Sequence, residues 1–171
     1  MDSTDLKQQI AQLHSATFAW ALVCCRWNAS EAEEVLQSVY LRVLEGQARF
    51  AGRSSLKTWI FSVVRNSAAA ARRRRWLRDA ALEWWSAASP ADSAVRAPDE
   101  ELESHERGAR VRKALQQLAV RQQEVLDLVF FHGLTIEEAA QVMGVALGTA
   151  RVHYQRGKRR LLAMLAPEET R

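Results

Sequence analysis

Residues 86–104 read SAASPADSAVRAPDEELES, a small, polar, acidic run that holds Pro90 and Pro98. No helical or alternating apolar period passes through it, so it has no face to bury in a core. It therefore splits the 171 residues into two parts, each of which must build its own core. The expected organisation is a domain over 1–85, a flexible acidic linker over 86–107 and a second domain over 108–171. With 48% hydrophobic residues both parts have material for a core.

Both parts read as helical. Seven Gly and three Pro argue against a turn-rich β protein, and no strand alternation competes. In the first part a helix is expected over Leu6–Trp27, apolar on several faces. Ala32, Val35, Leu36, Val39, Tyr40 and Val43 then recur at helical spacing, and Ser30 with Glu33 spells a capping box for that helix. A third helix, over Ser55–Ala71, puts Leu56, Trp59, Ile60, Val63, Val64, Ser67 and Ala68 on one stripe. In the second part Val111, Ala114, Leu115 and Leu118 form a short helix, and Val125, Leu126, Leu128, Val129 and Phe130 the next. Gly133 breaks the pattern, and Thr135 with Glu138 caps a helix that Gly144 ends. A last helix runs from about Ala146 to Leu165, with Ala150, Tyr154, Leu161 and Leu165 inward.

Charge follows the same division. Residues 1–41 carry net −3, 42–78 net +9, 79–109 net −6 and 110–171 net +4. Two basic blocks around an acidic one point to a polyanion, because each neutralised phosphate releases condensed counterions. Thr135–Arg156, TIEEAAQVMGVALGTARVHYQR, has the pattern of a helix-turn-helix. Ala140 is small where a second helix crosses, Gly144 makes the turn and Val145 plugs the space between the helices. The second helix then offers Arg151, His153, Gln155, Arg156, Lys158 and Arg159 to a major groove. The first basic block differs. The stripe on the helix Ser55–Ala71 leaves Lys57, Thr58, Phe61, Ser62 and Arg65 facing away, and a surface Phe among cations suits stacking on unpaired bases.

Three stretches carry a family resemblance: AEEVLQSVYLRVLEG (32–46), RFAGRSSLKTWIFSVVRNSAAAARRRR (49–75) and 114–161. They are similar to bacterial RNA polymerase sigma factors, and more narrowly to the extracytoplasmic-function group, which has sigma regions 2 and 4 only. The resemblance implies an all-α fold of a region 2 helical bundle and a region 4 helix-turn-helix. It implies a subunit that directs core RNA polymerase to promoters and helps melt the −10 element. The rival reading is a stand-alone helix-turn-helix regulator with an N-terminal helical sensing domain, which leaves the 49–75 pattern unexplained.

Carried over residue by residue, the resemblance implies that Glu34, Gln37, Ser38 and Leu41 meet the coiled coil of the largest polymerase subunit. Family members often have an acid where Ser38 stands. The −10 positions are Phe50, Arg53, Ser54, Lys57, Thr58, Phe61, Arg65 and Asn66, with Phe50 and Asn66 at the pocket for a flipped base. The −35 positions are Thr149, Arg151, Val152, His153, Gln155, Arg156 and Lys158. Ala146 replaces a frequent Ser cap, which predicts a recognition helix weaker by about 0.5–1 kcal/mol. Implied partners are the polymerase core, including its flap region, promoter DNA and an anti-sigma factor, in many cases membrane-bound.

Nothing points to an enzyme: no catalytic constellation clusters, and GVALGT (144–149) lacks the Lys-Ser/Thr of a phosphate loop. His14, His105, His132 and His153 have no ligand spacing, so no metal and no cofactor are expected. Cys24 and Cys25 read as small apolar residues of a buried helix, with redox sensing or metal binding as the alternative. Trp76, Trp84 and Trp85 read as packing, with a docking patch as the alternative. Asp2 and Asp5 replace a basic leader flank, and Ala16–Cys25 is too short to span a bilayer. The expectation is a cytoplasmic chain with no membrane contact of its own.

Overall fold

The computed structural model describes residues 3–85 and 104–166, and side-chain surroundings over 5–80 and 108–166. Within these the chain is all-α: α1 (Ser3–Gln12), α2 (His14–Cys24), α3 (Ala29–Leu44), α4 (Leu56–Trp85), α5 (Ser104–Gln116), α6 (Val120–Phe130), α7 (Ile136–Met143) and α8 (Leu147–Leu165). It divides into two compact units, Met1–Ala97 and Pro98–Arg171. Most of the acidic run lies outside the described residues, and α5 opens at Ser104, inside the range expected for the linker.

In the first unit α2, α3 and α4 pack on one another. Trp20 of α2 is fully buried, stacks on Phe61 of α4 at 5.9 Å between centroids, and donates its indole N–H to the Phe61 carbonyl at 3.0 Å. Val35, Leu36 and Val39 of α3 and Ile60, Val64 and Ala68 of α4 complete the core. The helix expected over Leu6–Trp27 is two helices, broken at Leu13. The expected capping box at Ser30 is displaced. Asn28 caps α3 instead: its side chain accepts from the Glu31 N–H at 3.1 Å, and its amide donates back to the Glu31 carboxylate at 2.9 Å. Ser30 already lies inside the first turn.

The turn before that cap is unusual. Trp27 N–H bonds the Leu22 carbonyl and Arg26 N–H the Val23 carbonyl, the double closure of a Schellman motif. Its left-handed position, normally glycine, is Arg26 at φ +54, and Trp27 follows at φ +66. Arg72 of α4 donates to the Cys24 carbonyl and holds this helix end.

In the second unit α6, α7 and α8 pack together, with α5 against α8. The Thr135–Glu138 capping box is present: Thr135 Oγ1 accepts from Glu138 N–H at 3.1 Å, and Thr135 N–H donates to Glu138 Oε2 at 2.8 Å. Gly144 sits at φ 64, and the Val145-to-Ala140 and Gly144-to-Gln141 bonds close a second Schellman motif. Phe130, at the end of α6, is 54% exposed and stacks on Tyr154 at 6.0 Å.

Cys24 and Cys25 are buried and form no disulfide, and burial pushes the Cys25 thiol up from its ordinary 9.0 to about 11. The thiol form is the one the fold accommodates, so the unfolded chain ionises first. The stabilisation is full below pH 9 and is lost as pH rises toward 11. Denaturant titrations should show the chain losing on the order of 2 kcal/mol across that window that Cys25→Ala does not lose.

Candidate nucleic-acid interface

The outward surface of the second unit is set by how α8 lies on its neighbours. Its two buried residues, Ala150 and Gly157, stand two turns apart and are the smallest available. A Cβ at Gly157 would come within 3.0 Å of Gln122 Cβ and 3.1 Å of Leu126 Cδ1, so α8 crosses α6 in close contact. The opposite face is left to solvent. Gly148, Val152, Gln155 and Arg159 run down its middle, with Val152 47% exposed. Arg151 and Lys158 flank one side, and Thr149 and Arg156 the other. His153 is half-buried at the margin. Apart from Arg159, the middle of this face carries small, apolar and amide groups, and its flanks carry the cations Arg151, Lys158 and Arg156. Gly157 went unread in the sequence, although its two-turn spacing from Ala150 signals it. Ala146 makes no side-chain cap, as its residue type predicts.

The first unit corrects the sequence reading. Phe61 is fully buried under Trp20, not on the surface. Thr58 is buried too. Its hydroxyl lies 2.8 Å from Ser55 Oγ, which accepts the Thr58 N–H at 3.1 Å and starts α4. Neither side chain is free to meet a base. The reason is that α4 packs against both α2 and α3, so its buried arc is wider than one stripe. Leu56, Trp59 and Val63, read as core, are only half-buried. Trp76, read from the sequence as packing, is 68% exposed.

An aromatic surface exists elsewhere. Phe50, in the loop between α3 and α4, tilts against Trp59 at 5.5 Å. Trp59, Ser62 and Asn66 follow one another on the outward side of α4, with Arg65 at its edge. Arg53 is exposed, while Ser54 and Lys57 are half-buried, the latter with its ammonium 5.8 Å from the Phe61 ring centre. Trp59 was missed because aromatic residues at helical spacing read as core.

A third surface lies on α3, where Glu34, Gln37, Ser38 and Leu41 form an exposed stripe opposite Val35, Leu36 and Val39. Leu41 and Leu44 are each 56% exposed, apolar area left uncovered beside polar groups.

Sequence comparison matches these units separately. The Sigma-70 region 2 family covers residues 15–78, and the Sigma-70 region 4 family covers 108–161. ECF RNA polymerase sigma factor SigX of Bacillus subtilis is 32% identical over 133 residues, covering 76% of this chain and 68% of that protein. This chain belongs to the ECF RNA polymerase sigma factors. ECF sigma factor EcfG of Rhodopseudomonas palustris is 31% identical over 140 residues, covering 81% of this sigma factor and 73% of that one. The solved sigma factor RpoE in complex with the anti-sigma factor NepR, from Bartonella quintana, matches with a TM-score of 0.74 at 26% identity. It covers 96% of this chain and 99% of that one.

No helix among the described residues of this sigma factor is long and apolar enough to cross a membrane. Ala146→Ser should supply the missing cap of α8 and raise stability by about 0.5–1 kcal/mol. Thermal unfolding of the full chain checks this. Phe61→Ala should instead lower stability by about 3–5 kcal/mol, the cost of an emptied core site. Denaturant titration checks it.

Proposed function

We propose that this sigma factor directs core RNA polymerase to promoters carrying a −10 and a −35 element, with one unit for each. The observation that carries this is the pairing, in one chain, of an outward aromatic and amide row on α4 with an outward reading face on α8. The first suits unpaired bases and the second suits paired ones. A regulator of the helix-turn-helix kind has use for α8 alone.

At the −10 element the unpaired strand lies along Phe50, Trp59, Arg65 and Asn66. The rings stack on a base, and Asn66 reads its edge with an amide that both donates and accepts. Arg53 and Lys57 hold phosphates, and Ser54 lines the loop. Thr58 and Phe61 support this surface from beneath. At the −35 element Gln155 and Val152 meet base edges, an amide suited to adenine and an apolar tip suited to a thymine methyl. Arg151, Arg156 and Lys158 hold the backbone, with Thr149 and His153 at the margins. Glu34, Gln37, Ser38 and Leu41 dock the largest polymerase subunit, with Leu41 as the apolar anchor. The polymerase supplies the chemistry, in the cytoplasm, and this chain supplies position. The similarity to a sigma factor solved with NepR supports an anti-sigma partner here also.

Purified core polymerase with promoter DNA tests the reading: specific initiation should appear only when this chain is added. Arg151→Ala should weaken binding at all −35 sequences by about tenfold, whereas Gln155→Ala should relax preference at one base pair. Asn66→Ala should slow opening of the −10 element and leave −35 binding unchanged. Initiation by Arg151→Ala and Asn66→Ala equal to wild type at limiting concentration would sink the site assignment.

A further inference from the structure

The start of the first unit and the last turns of α3 face one another across an open cleft of about 500 Å³. Lys7, Ile10 and Ala11 line it from α1, and His14 from the first turn of α2. These stand at i, i+3, i+4 and i+7, so one stripe continues past the break at Leu13. Tyr40, Val43 and Leu44 line the other side from α3. Ile10 and Val43 are buried at its floor, and Leu44, 56% exposed, forms its rim. At one end His14 Nδ1 lies 3.0 Å from the Tyr40 hydroxyl, with the two rings tilted at 5.9 Å. Lys7 stands about two helical turns away along the stripe, at the other end.

The cleft has a sign. Its lining holds the ammonium of Lys7 and no acid. Lys7 makes no ion pair with any described residue. Asp5, the acid of α1, lies on the other side of that helix, where it accepts from Gln9 at 3.1 Å. Glu45, next to Leu44, accepts from Gln47 at 2.8 Å. Burial pushes the Tyr40 phenol above its ordinary 10.0, so it adds no negative charge. The lining is that of a small-molecule site: mostly apolar, with a few polar groups set apart, in a volume within the usual range of about 300–1,000 Å³.

We propose that this cleft binds a small carboxylate with an apolar chain of medium length. The carboxylate pairs with Lys7, the chain lies over Ile10, Ala11, Val43 and Leu44, and its end meets the His14 and Tyr40 rings. Covering Leu44 and the floor of the cleft supplies most of the affinity, because apolar area leaves water. The ion pair sets the orientation and adds little, since an exposed pair is weak. The trough is flanked by helices on both long sides and takes one chain lying flat. A dissolved carboxylate fits it, and a bilayer, whose chains point away from the headgroup plane, does not. The site is centred roughly a quarter turn around α3 from the stripe of Glu34, Gln37, Ser38 and Leu41, and lies apart from both DNA surfaces.

The test titrates sodium octanoate into the full chain and follows backbone amide shifts by NMR. Octanol carries the same chain without charge, and acetate the head alone. Octanoate should move the amides of Lys7–His14 and Tyr40–Leu44 saturably and leave those of α8 in place. Octanol should reach the same amides several-fold more weakly, and acetate should move none of them at the same concentration. Lys7→Gln should weaken octanoate several-fold and leave octanol unchanged. Ala11 is exposed, so Ala11→Trp can fill the cleft without entering the core. It should abolish binding of both while the chain melts no lower than wild type. Shifts that do not saturate or that scatter over both units overturn the proposal, as does equal binding of octanoate and octanol. Wild-type affinity in Lys7→Gln or Ala11→Trp overturns it too. Anionic vesicles that move these amides where octanoate does not make the face a membrane contact instead, and shifts that follow protein concentration without octanoate make it a contact between copies.

Discussion

Close approach of helices over small side chains sets what this protein can show to DNA. In the second unit α8 rests on α6 through Ala150 and Gly157, and a single added carbon at Gly157 meets Gln122 and Leu126. Interiors are packed too densely to absorb such a change without moving a helix. Because the inner face is this slim, α8 stands on a narrow strip and leaves a wide arc free. Val152 and Gln155 take the centre of that arc, and Arg151, Arg156 and Lys158 its sides. The Schellman closure at Gly144 and the capping box at Thr135 then hold α7 where α8 can start directly after it.

The first unit solves a different problem. One long helix, α4, must both fill a core and carry a surface. Its inner arc takes Ile60, Phe61, Val64 and Ala68 against α2 and α3, with Trp20 closing over Phe61. Its outer row carries Trp59, Asn66, Arg73 and Trp76. The turn that joins α2 to α3 is tied to the same helix by Arg72. Rigid core and exposed row share one backbone, which gives the surface groups fixed spacing without loops of their own.

Much of this was legible beforehand. Helical periods placed α3, α6, α7 and α8 because their apolar residues recur every three to four positions and each has a polar face. Thr135, Glu138 and Gly144 are chemically committed to caps, so their neighbourhood could be read locally. Ser30 misled because Asn28, two residues earlier, caps the helix through the Glu31 N–H and carboxylate, which leaves Ser30 inside the first turn. Phe61 and Trp59 exchanged roles for a related reason. A period says that a helix has a buried side, but not how wide that side is when two neighbours press on it.

The amino-acid sequence determined α3, α6, α7 and α8, the charge blocks and the cap of α7, since each rests on a pattern among residues close along the chain. The edges of the buried arc on α4, the tight seat of Gly157 and the cleft between α1 and α3 belong to the tertiary structure. They depend on which surfaces of distant segments touch, and a one-dimensional period carries no record of that.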